Sequence, residues 1–129
     1  MMNLQGSWVA MPTPFTEDNQ VDIEGFKLLI ARQIKYGTNQ LFILGSAGEV
    51  TLLSIEEKKL IVKSVIAYMK DRAARGLKVV PVFFSAASFT TEASVEFAQF
   101  CEAEGADGVV FTGPPYVLIT QHAAKTHLD

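Results

Sequence analysis

The sequence has few of the features that mark secreted, membrane-spanning and disulfide-stabilised proteins. It contains one cysteine, Cys101, so a disulfide within the chain is impossible, and a buried thiol is the simplest interpretation of that residue. No run of about eighteen apolar residues is present, and a helix that spans a membrane needs one. The first residues lack the charged and apolar segments of a secretory signal. We therefore expect a cytoplasmic protein with no membrane partner.

Basic residues and metal ligands are also scarce. Lysine and arginine number 11 against 14 acidic residues, and the net charge of −3 argues against nucleic acid as the main partner. The two histidines, His122 and His127, lie five residues apart in a predicted helix, which is a poor spacing for two ligands of one metal. We predict no metal and no cofactor, and we expect both histidines at the surface.

Apolar residues make up 49% of the 129 residues, enough for one packed domain over residues 1–129, with Trp8 and the nine phenylalanines as core candidates. Short apolar segments predict four strands, over residues 7–11, 41–44, 78–84 and 109–112. A segment with a helical pattern follows each strand, and Gly37 and Gly105 end the first and third helices. This alternation with short links predicts an α/β fold with a parallel sheet.

Residues that cap helices support these boundaries. The predicted caps of the four helices are Asp22, Ser54, either Thr90 or Thr91, and Thr120. Ser54 and Glu57 have the spacing of a capping box, while the second helix is expected to break around residues 72–76. The period of the units is close to that of a (β/α)8 or TIM barrel, which needs about 250 residues. The chain therefore supplies about four of the eight units of such a barrel.

The loop between the second strand and the second helix, residues 45–49, is the first candidate for a site. Gly45, Ser46 and Gly48 follow the strand directly, and α/β proteins bind ligands at the carboxyl ends of their strands. The Ser46 hydroxyl, with backbone N–H groups that the glycines let point inward, suits a small carboxylate or phosphate. Such a loop is a weak signal alone, because the two glycines also serve a plain turn.

Several segments taken together carry a more specific signal. They are residues 6–15, residues 45–49 with the helix entry at 53–57, residues 105–108, and the Pro-Pro-Tyr116 loop with Gln121. In order and spacing they resemble the dihydrodipicolinate synthase and N-acetylneuraminate lyase family over essentially the whole chain, and residues 45–49 are similar to its GxxGE motif. The resemblance implies a (β/α)8 barrel and a class I aldolase, in which a lysine forms a Schiff base with pyruvate or another 2-oxo acid.

The resemblance also implies roles for individual residues. Ser46 takes the position of a hydroxyl in the family's proton relay, and Ala47 the position where a threonine or serine commonly holds the carboxylate. Tyr116 takes the position of the second tyrosine of a Pro-Tyr-Tyr loop, which in the synthases reaches into a neighbouring subunit's site. We therefore predict Ser46 and Tyr116 as catalytic, and Thr13, Ser46, Ala47 and Gly48 as substrate-binding. The implied partners are a small 2-oxo acid and either further copies of the chain or a completing second half.

Departures from the family pattern argue against catalysis by this chain alone. The family's Schiff-base lysine and a catalytic tyrosine lie on its sixth and fifth strands, beyond residue 129. The eight lysines present fall on predicted helices or, for Lys78, at the far end of a strand. Ala47 removes a hydroxyl that binds the carboxylate, and Pro115 replaces a tyrosine. The third loop, residues 84–88, lacks the usual glycines and is one residue shorter.

Three interpretations stay open. The chain is the N-terminal half of a Schiff-base lyase, inactive alone. Alternatively, it is a half-barrel that pairs with itself or with another chain, since two edge strands and one face of the core would otherwise be exposed. In the third interpretation it binds a small carboxylic acid without turnover. The resemblance fits all three, because a fold alone does not determine a function.

Overall fold

The computed structural model describes residues 3–113 and 119–129, in which four parallel strands form one sheet and four α-helices alternate with them. The strands are β1 (Trp8–Ala10), β2 (Gln40–Ile43), β3 (Val82–Ser85) and β4 (Gly108–Val110). The helices are α1 (Ile23–Lys35), α2 (Ile55–Ala74), α3 (Thr91–Glu104) and α4 (Gln121–Leu128). The order in the sheet is the order in the chain, which confirms the predicted succession of parallel βα units. Among these helices, none is long and apolar enough to cross a membrane.

The helices begin where the capping residues predict. The side chains that accept a hydrogen bond from a first-turn N–H are Asp22, Ser54, Thr90 and Thr120. Ser54 and Glu57 form both bonds of the capping box, at 3.1 and 2.7 Å. Gly105 ends α3 with a φ of 99°, a left-handed conformation that glycine adopts without steric conflict. Sequence patterns at the helix ends were therefore reliable.

The strand boundaries differ more from the predictions. β3 begins at Val82 instead of residue 78, because Pro81 has no N–H to donate to a neighbouring strand. The Pro81 carbonyl still accepts a hydrogen bond from Leu41 N–H at 3.0 Å, so the chain already runs beside β2 there. β1 is one residue shorter than predicted at each end, β2 lies one residue earlier, and β4 covers residues 108–110 instead of 109–112. α2 continues through Ala74 and has Arg75 as its C-cap, so it ends within the predicted range of residues 72–76.

The apolar core lies between the sheet and the first three helices. Alternate strand residues face the helices and are almost completely buried, namely Leu41, Ile43, Val82 and Phe84. The helices contribute Phe26, Ile30, Ile61, Val62, Val65 and Phe97 to the same cluster. Cys101 on α3 is fully buried there, as predicted, and this burial raises the pKa of its thiol to about 12.

The second face of the sheet carries the intervening residues. Ala10, Phe42, Phe83 and Gly108 form one row across the four strands, and the ring of Trp8 lies 4.4 Å from that of Phe83. The described helices do not cover this face, and Trp8 is 39% exposed. The expectation that Trp8 and the nine phenylalanines belong to the core is therefore wrong for Trp8. It is also wrong for Phe15, Phe89 and Phe111, which lie in loops or past the end of β4.

The Asp107 carboxylate holds the start of β3 against the start of β4. It accepts a hydrogen bond from Val82 N–H at 2.8 Å in a partly buried position. We expect Asp107→Ala to lower the free energy of unfolding by about 1–3 kcal/mol, because a buried N–H loses a charged acceptor. Urea denaturation measures this difference, and Asp18→Ala in an exposed loop is the control. Equal stability of the two variants would show that the bond is dispensable.

Burial of Cys101 also predicts how stability depends on pH. The pKa of the thiol is about 12 in the folded chain against an ordinary value of 9.0, so the folded state keeps a proton that the unfolded state releases between these values. Stability therefore falls as the pH rises above the unfolded pKa. Between about pH 8 and about pH 10, we expect the chain to lose about 1 kcal/mol more than Cys101→Ala does. Urea titrations at both pH values test this, and parallel losses would contradict it.

Candidate functional site

The candidate loop, residues 45–49, lies directly after β2 and forms a 3₁₀ turn over Ser46–Gly48. The N–H of Gly48 donates to the carbonyl of Gly45 at 2.9 Å and closes the turn. The N–H groups of Ser46 and Ala47 stand at the start of the turn, where backbone donors have no acceptor within it. Both residues are exposed. The loop thus combines the Ser46 hydroxyl with two backbone donors that have no acceptor within the turn, a combination that suits a small anion.

The glycines of this loop are required for space and not for an unusual backbone conformation. A Cβ on Gly45 would lie 2.6 Å from the Phe42 ring, and one on Gly48 would lie 3.1 Å from the Met11 carbonyl oxygen. The left-handed positions are instead Leu44 and Glu49, with φ values of 62° and 56°. Such strain at a non-glycine residue costs on the order of 1–3 kcal/mol and is concentrated at functional sites.

Thr13 lies beneath the loop and connects it to the end of the first strand. Its buried hydroxyl donates to the carbonyl of Gly48 at 2.7 Å, so its proton is used within the protein. A side chain at Gly48 would also lie 3.3 Å from this hydroxyl. Thr13 therefore supports the loop from behind. Direct contact between Thr13 and a substrate stays a prediction.

A cleft of about 400 Å³ opens beside the loop at the carboxyl ends of β2, β3 and β4. Its lining includes Phe42, Gly45, Ser46, Thr51, Ser85 and Thr112. Ser46 therefore faces the cleft, while Thr13, Ala47 and Gly48 are not among the described residues that line it. Tyr116 lies outside the described residues. Sequence reasoning missed Ser85 and Thr112, although both stand at the ends of adjacent parallel strands, which is where such sites form.

The lysines do not supply a Schiff-base amine to this cleft. None of them is among its lining residues in the part of the chain that the structure describes. Lys58 is half-buried on α2, and burial lowers the pKa of its amine in the direction that Schiff-base chemistry needs. It nevertheless lies outside the cleft, and Lys78 precedes β3 at the opposite end of the strand. A lysine from elsewhere is required for that chemistry.

A second cavity in the molecule is less suitable as a ligand site than this cleft. A cavity of about 380 Å³ lies between α3 and β4, with Ala98, Asp107 and Val109 in its wall. It lies on the helix side of the sheet, away from the carboxyl ends of the strands, so we place the site at the 400 Å³ cleft instead.

The two histidines differ in their surroundings. His122 is exposed as expected, whereas His127 packs against α3 and its Nδ1 lies 2.8 Å from the hydroxyl of Thr91. His127 is therefore only partly exposed and meets the predicted surface position in part, because α4 turns this side chain toward α3. Within residues 3–113 and 119–129, no three His, Cys, Asp or Glu side chains are grouped closely enough to hold a metal ion.

Comparison with known proteins identifies the family of the chain. A model of the dihydrodipicolinate synthetase family matches residues 3–129. The chain belongs to this family. A 4-hydroxy-tetrahydrodipicolinate synthase of Clostridium perfringens strain ATCC 13124 is 33% identical over 125 residues, which cover 97% of this chain and 40% of the relative.

Two solved structures of the family resemble the chain closely. One is YagE, a prophage protein from E. coli K12 in complex with pyruvate, with a TM-score of 0.82 and 31% identity over 98% of this chain and 40% of that one. The other is the chloride-inhibited synthase of Acinetobacter baumannii complexed with pyruvate, with a TM-score of 0.85 and 28% identity over 98% and 41%. The chain thus spans about two fifths of the length of these relatives. Its sheet and helices are about four βα units of a TIM barrel.

The Thr13 hydroxyl predicts a measurable contribution to the loop. Thr13→Val keeps the shape of the side chain but leaves the Gly48 carbonyl without its donor. We expect the free energy of unfolding to fall by about 1 kcal/mol and the amide protons of the loop to exchange faster with solvent. Hydrogen exchange followed by NMR measures the second effect. Thr13→Ser retains the hydroxyl and is the control, and faster exchange in both variants would contradict this role.

Proposed function

We propose that this chain forms the part of a lyase or synthase of the pyruvate-dependent aldolase type that binds the carboxylate of a 2-oxo acid. The observation that carries the proposal is the Ser46–Gly48 turn, whose first residue, Ser46, is exposed and lines the cleft. The two family relatives that were solved in complex with pyruvate support the same choice of ligand. Residues 1–129 form one domain, which is the N-terminal half of the barrel. The Schiff-base lysine is supplied by residues outside this domain.

Different groups of the loop bind the carboxylate and transfer the proton. The N–H groups of Ser46 and Ala47 bind the carboxylate, because a turn start offers donors and a partial positive charge. Ala47 contributes no hydroxyl, so its backbone N–H alone serves the carboxylate. The Ser46 hydroxyl carries a proton between the substrate and the phenol of Tyr116, whose part in this relay stays a prediction. Gly48 lets the loop lie close to Met11, and Thr13 holds it there.

The reaction requires groups from this chain and further groups from the rest of the site. An amine attacks the carbonyl carbon of the 2-oxo acid and water leaves, which forms an imine. Loss of a proton from C3 of this imine gives an enamine that adds to an aldehyde, and in the reverse direction cleavage of the adduct releases the aldehyde and the enamine. The loop keeps the carboxylate still while the amine reacts, and a fixed orientation of reacting groups lowers the barrier substantially. The described part of the chain provides that orientation and none of the covalent step.

Pyruvate binding tests this proposal directly. We expect Ser46→Ala to weaken the binding of pyruvate roughly tenfold, since a hydrogen bond to a charged group is lost. Titration calorimetry on the 129-residue chain measures the affinity, and Ser64→Ala on α2, away from the cleft, is the matched control. Equal affinity in Ser46→Ala and the control would mean that the loop serves only the fold. Borohydride treatment with pyruvate should leave no adduct on residues 1–129.

The uncovered face of the sheet supports a second function, a non-catalytic half-barrel that associates with another copy or with a completing half. Trp8 is exposed on this face, which the described helices leave uncovered. An exposed apolar face of this kind favours association. We expect the chain to associate in light-scattering measurements at low micromolar concentration. A stable monomer there would contradict self-association.

A further inference from the structure

The alternation of side chains along β2 stops at the residue that follows the strand. Leu41 and Ile43 face the helices and Phe42 faces the other side of the sheet, so a continued strand would turn Leu44 to the side of Phe42. Leu44 instead has a φ of 62° and is fully buried in the apolar cluster that contains Leu41 and Ile43. Phe83 of the second face is buried as well but does not belong to that cluster. Two consecutive residues, Ile43 and Leu44, therefore bury their side chains on the helix side.

The backbone after Leu44 continues on the opposite side of the strand. Gly45 lies against the ring of Phe42, because a Cβ on this glycine would be 2.6 Å from that ring. Ser46 comes next, begins the Ser46–Gly48 turn and lines the cleft. The left-handed backbone at Leu44 thus separates the direction of its own side chain from the direction of the chain that follows, as a bulged residue does within a strand.

This conformation needs support from its surroundings. A bulky side chain rarely adopts a positive φ, because its Cβ approaches the following carbonyl oxygen. Such a residue keeps this backbone only where its contacts hold it, and outliers of this kind are concentrated at functional sites. Leu44 has these contacts in the core, whereas Glu49, the left-handed residue after the turn, is exposed. Packing in the core therefore holds the left-handed backbone at the entry to the turn.

We infer that Leu44 is a positioning residue for carboxylate binding and that it acts through the backbone N–H groups of Ser46 and Ala47. Its side chain, locked in the core, holds the left-handed backbone that directs these N–H groups toward the ligand. The inference rests on the proposed function, in which the same N–H groups bind the carboxylate. A displacement of about 1 Å at such donors is enough to weaken their action on a ligand.

Two truncations in the same core test this role. Leu44→Ala and Ile43→Ala each remove a fully buried side chain of the same size, but Leu44 has the left-handed backbone and Ile43 lies within β2. We expect Leu44→Ala to weaken pyruvate binding roughly tenfold, because a backbone without its core anchor relaxes and moves the donors. Ile43→Ala is the matched control and should bind pyruvate as tightly as the unmodified chain. Titration calorimetry on the 129-residue chain measures the affinity, which is corrected for the folded fraction observed by NMR.

Two further substitutions separate the backbone conformation from the packing. Leu44→Met keeps a side chain of similar volume in the core and should retain the affinity for pyruvate. Leu44→Gly removes more of the side chain than Leu44→Ala, yet glycine adopts a positive φ without steric conflict. We therefore expect Leu44→Gly to bind pyruvate more tightly than Leu44→Ala. A role in packing alone predicts the opposite order.

The unmodified chain provides a test that does not depend on the folding of a truncated variant. A positive φ brings the amide and α protons of a residue close together, and NMR detects this short distance. We expect it at Leu44 both with and without pyruvate, because the core holds the backbone before the ligand arrives. A negative φ in the free chain, or a loss of affinity in Leu44→Met, would overturn the inference.

The outcomes distinguish the inference from the proposed function. If the unmodified chain binds pyruvate but Leu44→Ala and Ile43→Ala bind it equally well, the positioning role is overturned and the proposed function stands. Weaker binding by Leu44→Gly than by Leu44→Ala overturns the role in the same way. If the unmodified chain does not bind pyruvate, the proposed function fails and the inference fails with it.

Discussion

The packing of three helices against one face of a parallel sheet is the constraint on which the rest of the structure depends. Side chains alternate along a strand, so directing Leu41, Ile43, Val82 and Phe84 to the helices directs Phe42, Phe83 and Ser85 to the second face. The parallel direction brings the carboxyl ends of all strands to one edge. A cleft at that edge, with loop residues on one side and strand-end residues on the other, follows from these two facts.

The loop combines close contacts with strained backbone. A Cβ on Gly45 would collide with the Phe42 ring, and one on Gly48 would lie 3.1 Å from the Met11 carbonyl oxygen, closer than an ordinary contact. Leu44, just before the loop, and Glu49, at its end, both lie in the left-handed region. Leu44 is completely buried, and burial of a large apolar side chain offsets the conformational cost at that position. The turn is therefore held in place before any ligand arrives, which is the property that catalytic orientation requires.

The site could be predicted from the sequence where a local pattern encodes it and not where distant residues meet. Ser46 was identified because it directly follows an apolar strand within a glycine-containing loop, and it does line the cleft. Ser85 and Thr112 were missed because each is an ordinary polar residue in its own segment. They are neighbours of Ser46 only through strand register. The hydrogen bond from the Thr13 hydroxyl to the Gly48 carbonyl joins residues thirty-five positions apart, so no local sequence pattern predicts it.

By itself, the sequence determined the α/β class, the four capped helices, the succession of parallel strands and the family. These features depend on the period of apolar residues, on hydrogen bonds within one helical turn, and on motifs in order along the chain. Only the tertiary structure decided where β3 starts and which aromatic residues face away from the core. It also decided which hydroxyls share the cleft. Those features depend on pairing between strands and on packing against helices that are distant in the chain, and neither is encoded in a single segment.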